Sequence, residues 1–115
     1  MLALPDRSTR QGRRDATLFA TLYDTGARVQ ELADLAVRDI RLQRPAMVSL
    51  TGKGRKTRHV PQDGSTITLL AAYLAEHRLD ESGHDDYPVF FNQHRARLSR
   101  GGVAWIIRKY QAHRC

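Results

Sequence analysis

Arg28, Glu31 and Lys53 are the residues whose types and surroundings could do chemistry. Arg28 falls in the first turn of an expected helix, where the macrodipole is positive and a cation is mildly disfavoured. It is also embedded in the apolar stretch from Leu18 to Leu35, and a partly buried guanidinium needs an acceptor. Glu31 at i+3 can be that acceptor, as an ion pair that orders the turn between two helices. A ligand phosphate can be another, gripped by the guanidinium fork beside a helix N-terminus. The residue types leave both open. Lys53 stands between Gly52 and Gly54, where backbone can approach a ligand closely and the ammonium can swing. A mobile lysine beside a phosphate can donate a proton to a leaving oxygen if its pKa falls from about 10.4. A lysine at a hairpin tip can equally serve solubility alone.

The elements that must hold these residues can be read from periodicity. Residues 1–12 lack it and form an expected loose basic arm. From about Arg13 to Thr25, Leu18, Phe19, Leu22 and Tyr23 recur at helical spacing, and Gly26 can close the helix in the left-handed conformation. A second helix is expected at once, with Val29, Leu32, Ala33 and Ala36 on one stripe and Leu35 beside it, ending near Val37. Residues 46–61 read as a β-hairpin: a strand over 46–51, a cationic turn over 52–56, and a return strand over 57–61 ended by Pro61. A third helix is expected over 65–78 on Ile67, Leu70, Ala71 and Leu74. An acidic loop and a short extended Val89-Phe90-Phe91 follow. Ser99 then caps a fourth helix with Val103, Ile106, Ile107 and Tyr110 on its stripe, leaving Trp105 off it. The fold class is therefore mainly α with a small antiparallel β-hairpin (α+β).

The 115 residues suffice for one domain. No apolar run approaches the ~18 residues of a membrane span, and MLALPDRSTR has no apolar signal region. The single cysteine, Cys115, makes a reducing cytoplasm the expected compartment. Nineteen basic against 12 acidic side chains give a net charge of +7, which points to a polyanionic partner. The distribution is uneven. No acid occurs from Tyr87 onward, where Arg95, Arg97, Arg100, Arg108, Lys109 and Arg114 lie, and Lys53, Arg55, Lys56 and Arg58 form a second cluster. Scattered histidines offer no metal motif, and there is no Walker loop, dinucleotide fingerprint or serine-triad signature.

Two segments carry a resemblance. Thr25-Gly26-Ala27-Arg28-Val29-Gln30-Glu31-Leu32, followed by Gly52-Lys53-Gly54-Arg55-Lys56-Thr57-Arg58-His59-Val60-Pro61, resembles the catalytic domain of tyrosine recombinases (phage integrases). The first matches that family's T-G-x-R-x-x-E-L box and the second its G-K-G-x-K-x-R-x-V-P hairpin. Similarity continues through Phe90-Phe91, Leu98-Ser99-Arg100 and the last helical stripe, covering roughly residues 13–112.

The resemblance implies roles. Arg28 would clamp the scissile phosphate of double-stranded DNA, Glu31 would orient it, and Lys53 would enter the minor groove and protonate the leaving 5′-hydroxyl. Arg100 is similar in place to a residue entering the major groove, where arginine can read guanine or simply contact phosphate. Arg55, Lys56, Arg58, Arg97, Arg108 and Lys109 are the further expected DNA contacts. The family's reaction uses no metal or cofactor. It needs a tyrosine nucleophile and a second arginine in an H-x-x-R box. His94-Arg95-Ala96-Arg97 matches that box only by letters, since it precedes the fourth helix. Tyr23, Tyr73, Tyr87 and Tyr110 are expected in core or loop, so none is a nucleophile. The expectation is thus a truncated recombinase catalytic domain over 13–115, unable to cleave DNA alone, whose full-length parent would integrate or transpose DNA. It should expose apolar surface able to drive self-association. The alternatives are a non-catalytic DNA-binding or regulatory remnant, or a purely structural fragment.

Overall fold

The computed structural model describes residues 5–62 and 64–111; the expectations for Arg114 and Cys115 lie outside them. Helix α1 (Arg10–Thr25) starts earlier than its apolar stripe, because Thr9 caps it by accepting from the Gly12 amide at 2.9 Å. The expected arm therefore contributes its last residues to a helix. Gly26 ends α1 at φ 64, donating to the Leu22 carbonyl at 3.0 Å. Leu18 and Phe19 are buried, but Tyr23, expected on the same stripe, is 69% exposed. The face α1 turns toward α3 (Gly64–Glu76) carries Thr17, Thr21 and Thr25, each hydroxyl donating to the carbonyl four residues back.

Helix α2 (Val29–Ala33) is a five-residue piece, far short of the expected helix. Leu35 and Ala36 are still buried, but as extended chain: Ala36 bridges Pro88, and a 3-10 turn at Val37–Asp39 follows. The apolar run continued while the helix did not. The sheet also has one strand more than expected. β1 (Ile40–Arg41) pairs antiparallel with β2 (Met47–Thr51), which pairs with β3 (Thr57–Pro61) from Met47↔Pro61 to Thr51↔Thr57. Val48 and Leu50 point into the core, where α2 covers the sheet.

Helix α3 matches its expected stripe, with Leu70 and Leu74 buried, and adds Tyr73, whose hydroxyl donates to the Val89 carbonyl at 2.7 Å. Val89, Phe90 and Phe91 are buried in irregular chain rather than a strand. Ser99 accepts from the Gly102 amide at 3.0 Å and starts α4 (Arg100–Gln111), whose Val103 and Ile106 join Leu18, Leu32 and Leu70 in the core. No helix among the described residues is long and apolar enough to cross a membrane.

Polar ties fasten the outer helices. Arg13 grips Glu76 through Nε (2.9 Å) and Nη2 (2.7 Å), with Arg10 assisting at 3.3 Å. The Arg13 hydrogen bond pulls the Glu76 carboxyl from 4.5 to about 2. A carboxylate more acidic folded than unfolded stabilises fully above its unfolded pKa and loses that contribution as pH falls through its folded one. Urea unfolding of the wild type should therefore lose stability between pH 4.5 and about 2, and Glu76→Gln should flatten that decline. Parallel curves for both proteins would refute the assignment.

Candidate nucleic-acid interface

Arg28 is the N-cap of α2, exposed, with extended backbone (φ −77°, ψ 155°). Its backbone amide, not its guanidinium, donates to Glu31 Oε1 at 2.8 Å. The expected Arg28–Glu31 side-chain pair is absent, because Glu31 has another partner. Arg58 on β3 donates from Nη1 to Oε2 (2.7 Å) and from Nη2 to Oε1 (3.2 Å), a bidentate grip across 27 residues of sequence. Glu31 is the buried member, 5% exposed. Burial pushes its carboxyl up, but the Arg28 amide and the Arg58 guanidinium outweigh this and hold it below the ordinary range. Among the described residues the Arg28 guanidinium has no hydrogen-bond or ion-pair partner. A five-residue helix also offers little dipole, so the cation itself is what Arg28 presents.

The hairpin tip uses its two glycines differently. Gly54 sits at φ 75 with open space around it, so backbone conformation selects glycine there. Gly52 is at φ −108, which any residue adopts, but a Cβ would lie 2.8 Å from Glu31 Oε2. Space, not torsion, demands that glycine. Gly52→Ala should cost about 1–3 kcal/mol by forcing Glu31 off Arg58. Shortening the acid as well, in Gly52→Ala/Glu31→Asp, should recover part of that loss, and strictly additive chemical-denaturation energies would count against the clash.

Between α2, the hairpin and the start of α4 lies a cleft of about 970 Å³, lined by Arg28, Lys53, Lys56, Arg58 and Arg100 among others. The two segments singled out by their chemistry thus face one recess, although Gly52 comes 24 positions after Arg28. Lys53, Lys56 and Arg100 are exposed and have no ion-pair partner among the described residues. Arg55 is exposed at the tip, at φ 59, outside the lining; Arg108 is exposed two turns beyond Arg100 on α4.

Two expected DNA contacts are engaged elsewhere. Arg97 donates from Nη1 to the carbonyls of Ala33 (3.1 Å) and Leu35 (3.4 Å), closing the C-terminal end of α2. Lys109 donates to Asp15 Oδ2 at 3.1 Å and sits near the Trp105 and Tyr110 rings. Asp15 is fully buried and also binds Arg14 (2.8 Å) and the Tyr110 hydroxyl (2.6 Å). The available clue was position: Asp15 is spaced with Leu18, Phe19 and Leu22 on the apolar stripe. None of the four tyrosines lines the cleft. Burial pushes the Tyr73 phenol up, and burial together with the Asp15 hydrogen bond does the same to Tyr110.

Comparison with known proteins identifies the family. Residues 1–114 match the phage integrase family. A putative integrase/recombinase (y4rD) of Sinorhizobium fredii is 36% identical over 110 residues, 95% of this chain and 38% of its own length. The tyrosine recombinase XerD of Staphylococcus epidermidis is 36% identical over 113 residues, 96% of this chain and 37% of its own. The chain thus spans little more than a third of these relatives. Among solved structures, the XerA recombinase superposes with a TM-score of 0.73 at 27% identity, over 87% of this chain and 36% of its own. The XerH recombinase, in a post-cleavage complex with its palindromic difH substrate, superposes with a TM-score of 0.66 at 27% identity, over 95% of this chain and 32% of its own. With the two sequence boxes meeting in one cleft and the match running through residue 114, this chain belongs to the phage integrase family, the tyrosine recombinases.

Proposed function

We propose that the cleft between α2, the hairpin and α4 is the phosphate-binding part of a DNA strand-transfer site. The observation that carries this is the convergence of Arg28, Lys53 and Arg100 on one recess, with no side-chain acceptor for any of them among the described residues. A guanidinium and an ammonium so placed can hold a duplex phosphate and polarise it. Lys53, exposed at the hairpin tip, is the group able to reach a leaving oxygen, while Glu31 and Arg58 brace the hairpin against α2. Arg100, at the start of a 12-residue helix, is placed to enter a groove. Breaking the phosphodiester also requires a nucleophile, and no tyrosine of these 115 residues stands at the cleft. The 115 residues alone therefore bind double-stranded DNA without cleaving it; integration or transposition belongs to the full-length parent, with the cytoplasm as its compartment. Exposed Trp105 and Tyr23 provide apolar surface for self-association.

Two measurements test this. Three phosphate contacts give a salt slope of about −2.7, so duplex affinity should fall about 40-fold between 50 and 200 mM salt. Incubation with nicked suicide duplexes should leave no covalent protein–DNA adduct. Salt-independent binding would favour the purely structural reading, and an adduct would overturn the inactivity.

A further inference from the structure

Helix α4 has two lined faces. Arg100 and Ala104, one turn apart, border the cleft described above, while Gly102, Trp105 and Ile106 lie on the opposite side of the helix and border a second recess. This recess, of about 720 Å³, is closed by the start of α1, by His77 just past α3 and by the loop over residues 91–98. Its size lies within the range of small-molecule sites.

The lining is chemically one-sided. It contains arginines and histidines but neither Asp nor Glu. Arg10 is occupied by Glu76 and Arg14 by Asp15, both from just outside the lining. Arg95 is different. Its side chain has no acceptor among the described residues, its guanidinium lies 4.7 Å from the centre of the Phe91 ring, and its backbone sits at φ 61. Asn92 commits its Oδ1 to the amides of His94 and Ala96, which leaves its NH2 as a donor. His77 keeps a buried Nε2 with no partner among the described residues. The aromatic wall is Trp105, which lies off the apolar stripe of α4 and is 55% exposed.

An unpaired planar cation, amide donors and an exposed indole, with no carboxylate, complement a ligand that is both anionic and flat. We propose that this recess binds a single nucleotide, its base against Trp105 and its 5′-phosphate at Arg95. The nucleotide can be free or part of an unpaired strand. The site is separate from the duplex-binding cleft and does not depend on it.

Trp105 is the only tryptophan, so its fluorescence reports occupancy directly. The 115-residue chain should be titrated with deoxyadenosine monophosphate, deoxyadenosine, inorganic phosphate and single-stranded oligo(dA). Saturable quenching by the monophosphate is expected, with deoxyadenosine at least tenfold weaker and inorganic phosphate silent. Oligo(dA) binding more tightly than the monophosphate assigns the site to a strand; equal or weaker binding assigns it to the free nucleotide. Arg95→Gln should weaken the monophosphate at least tenfold. Trp105→Ala removes a half-exposed side chain and should fold; read by anisotropy of a labelled monophosphate, it should also lose about tenfold while duplex affinity is unchanged. The proposal is overturned by absent quenching with both the monophosphate and oligo(dA), by equal affinity for nucleoside and nucleotide, or by undiminished binding in Trp105→Ala. Should Arg95→Gln fail to melt cooperatively, the Trp105→Ala result decides.

Discussion

Asp15→Ala should lower the unfolding free energy by about 3–5 kcal/mol, the cost of leaving buried cations without their counter-charge. Asp15 is fully buried and holds Arg14, Lys109 and the Tyr110 hydroxyl at once, while the Arg14 and Lys109 side chains are only 14% and 26% exposed. For a domain of this size the loss corresponds to a fall in melting temperature of about 12–25 °C. Asp15→Asn keeps an acceptor for one partner and should lie between the two. A loss below about 1 kcal/mol for Asp15→Ala would mean that water replaces the carboxylate and that the network does not tie α1 to α4.

Arg28→Ala should reduce duplex affinity by about ten- to a hundredfold, since a hydrogen bond to a charged group contributes about 1.5–3 kcal/mol. The more discriminating readout is the salt dependence. Each lost phosphate contact should make the slope shallower by about 0.9, for Arg28→Ala and Lys53→Ala alike. Arg97→Ala and Lys109→Ala should leave that slope unchanged and instead lower stability, because their charges are spent on the Ala33 and Leu35 carbonyls and on Asp15. Filter binding or anisotropy across four salt concentrations separates the two groups. If all four variants share one slope, the division between cleft cations and structural cations is wrong.

That division marks where sequence reading reaches its limit. The hairpin, α3, the Ser99 cap and the α4 stripe are all local patterns, set by periodicity and by residues within a few positions of each other. The segments carrying Arg28 and Lys53 stand out because their neighbours form two recognisable boxes, and both line one cleft. Arg97 and Lys109, by contrast, look like any other cation in a basic segment. Their acceptors lie 64 and 94 residues away, and no local rule connects them. Glu31 illustrates the same limit: Arg28 at i−3 supplies only its backbone amide, while the guanidinium partner is the distant Arg58 on β3. The expected length of α2 failed for a related reason. Leu35 and Ala36 are apolar because they are buried, and periodicity alone cannot tell a buried helix from buried extended chain.

Arg97 also sets a dimension. By anchoring the chain just before α4 onto the carbonyls of Ala33, the last residue of α2, and Leu35 beyond it, Arg97 latches together the two segments that carry Arg28 and Arg100, 72 residues apart. Their separation behaves as a ruler cut when the polypeptide folds. On the proposed function, nucleic acid would meet a gauge already set by the fold, leaving mainly side-chain rotations to be ordered at encounter.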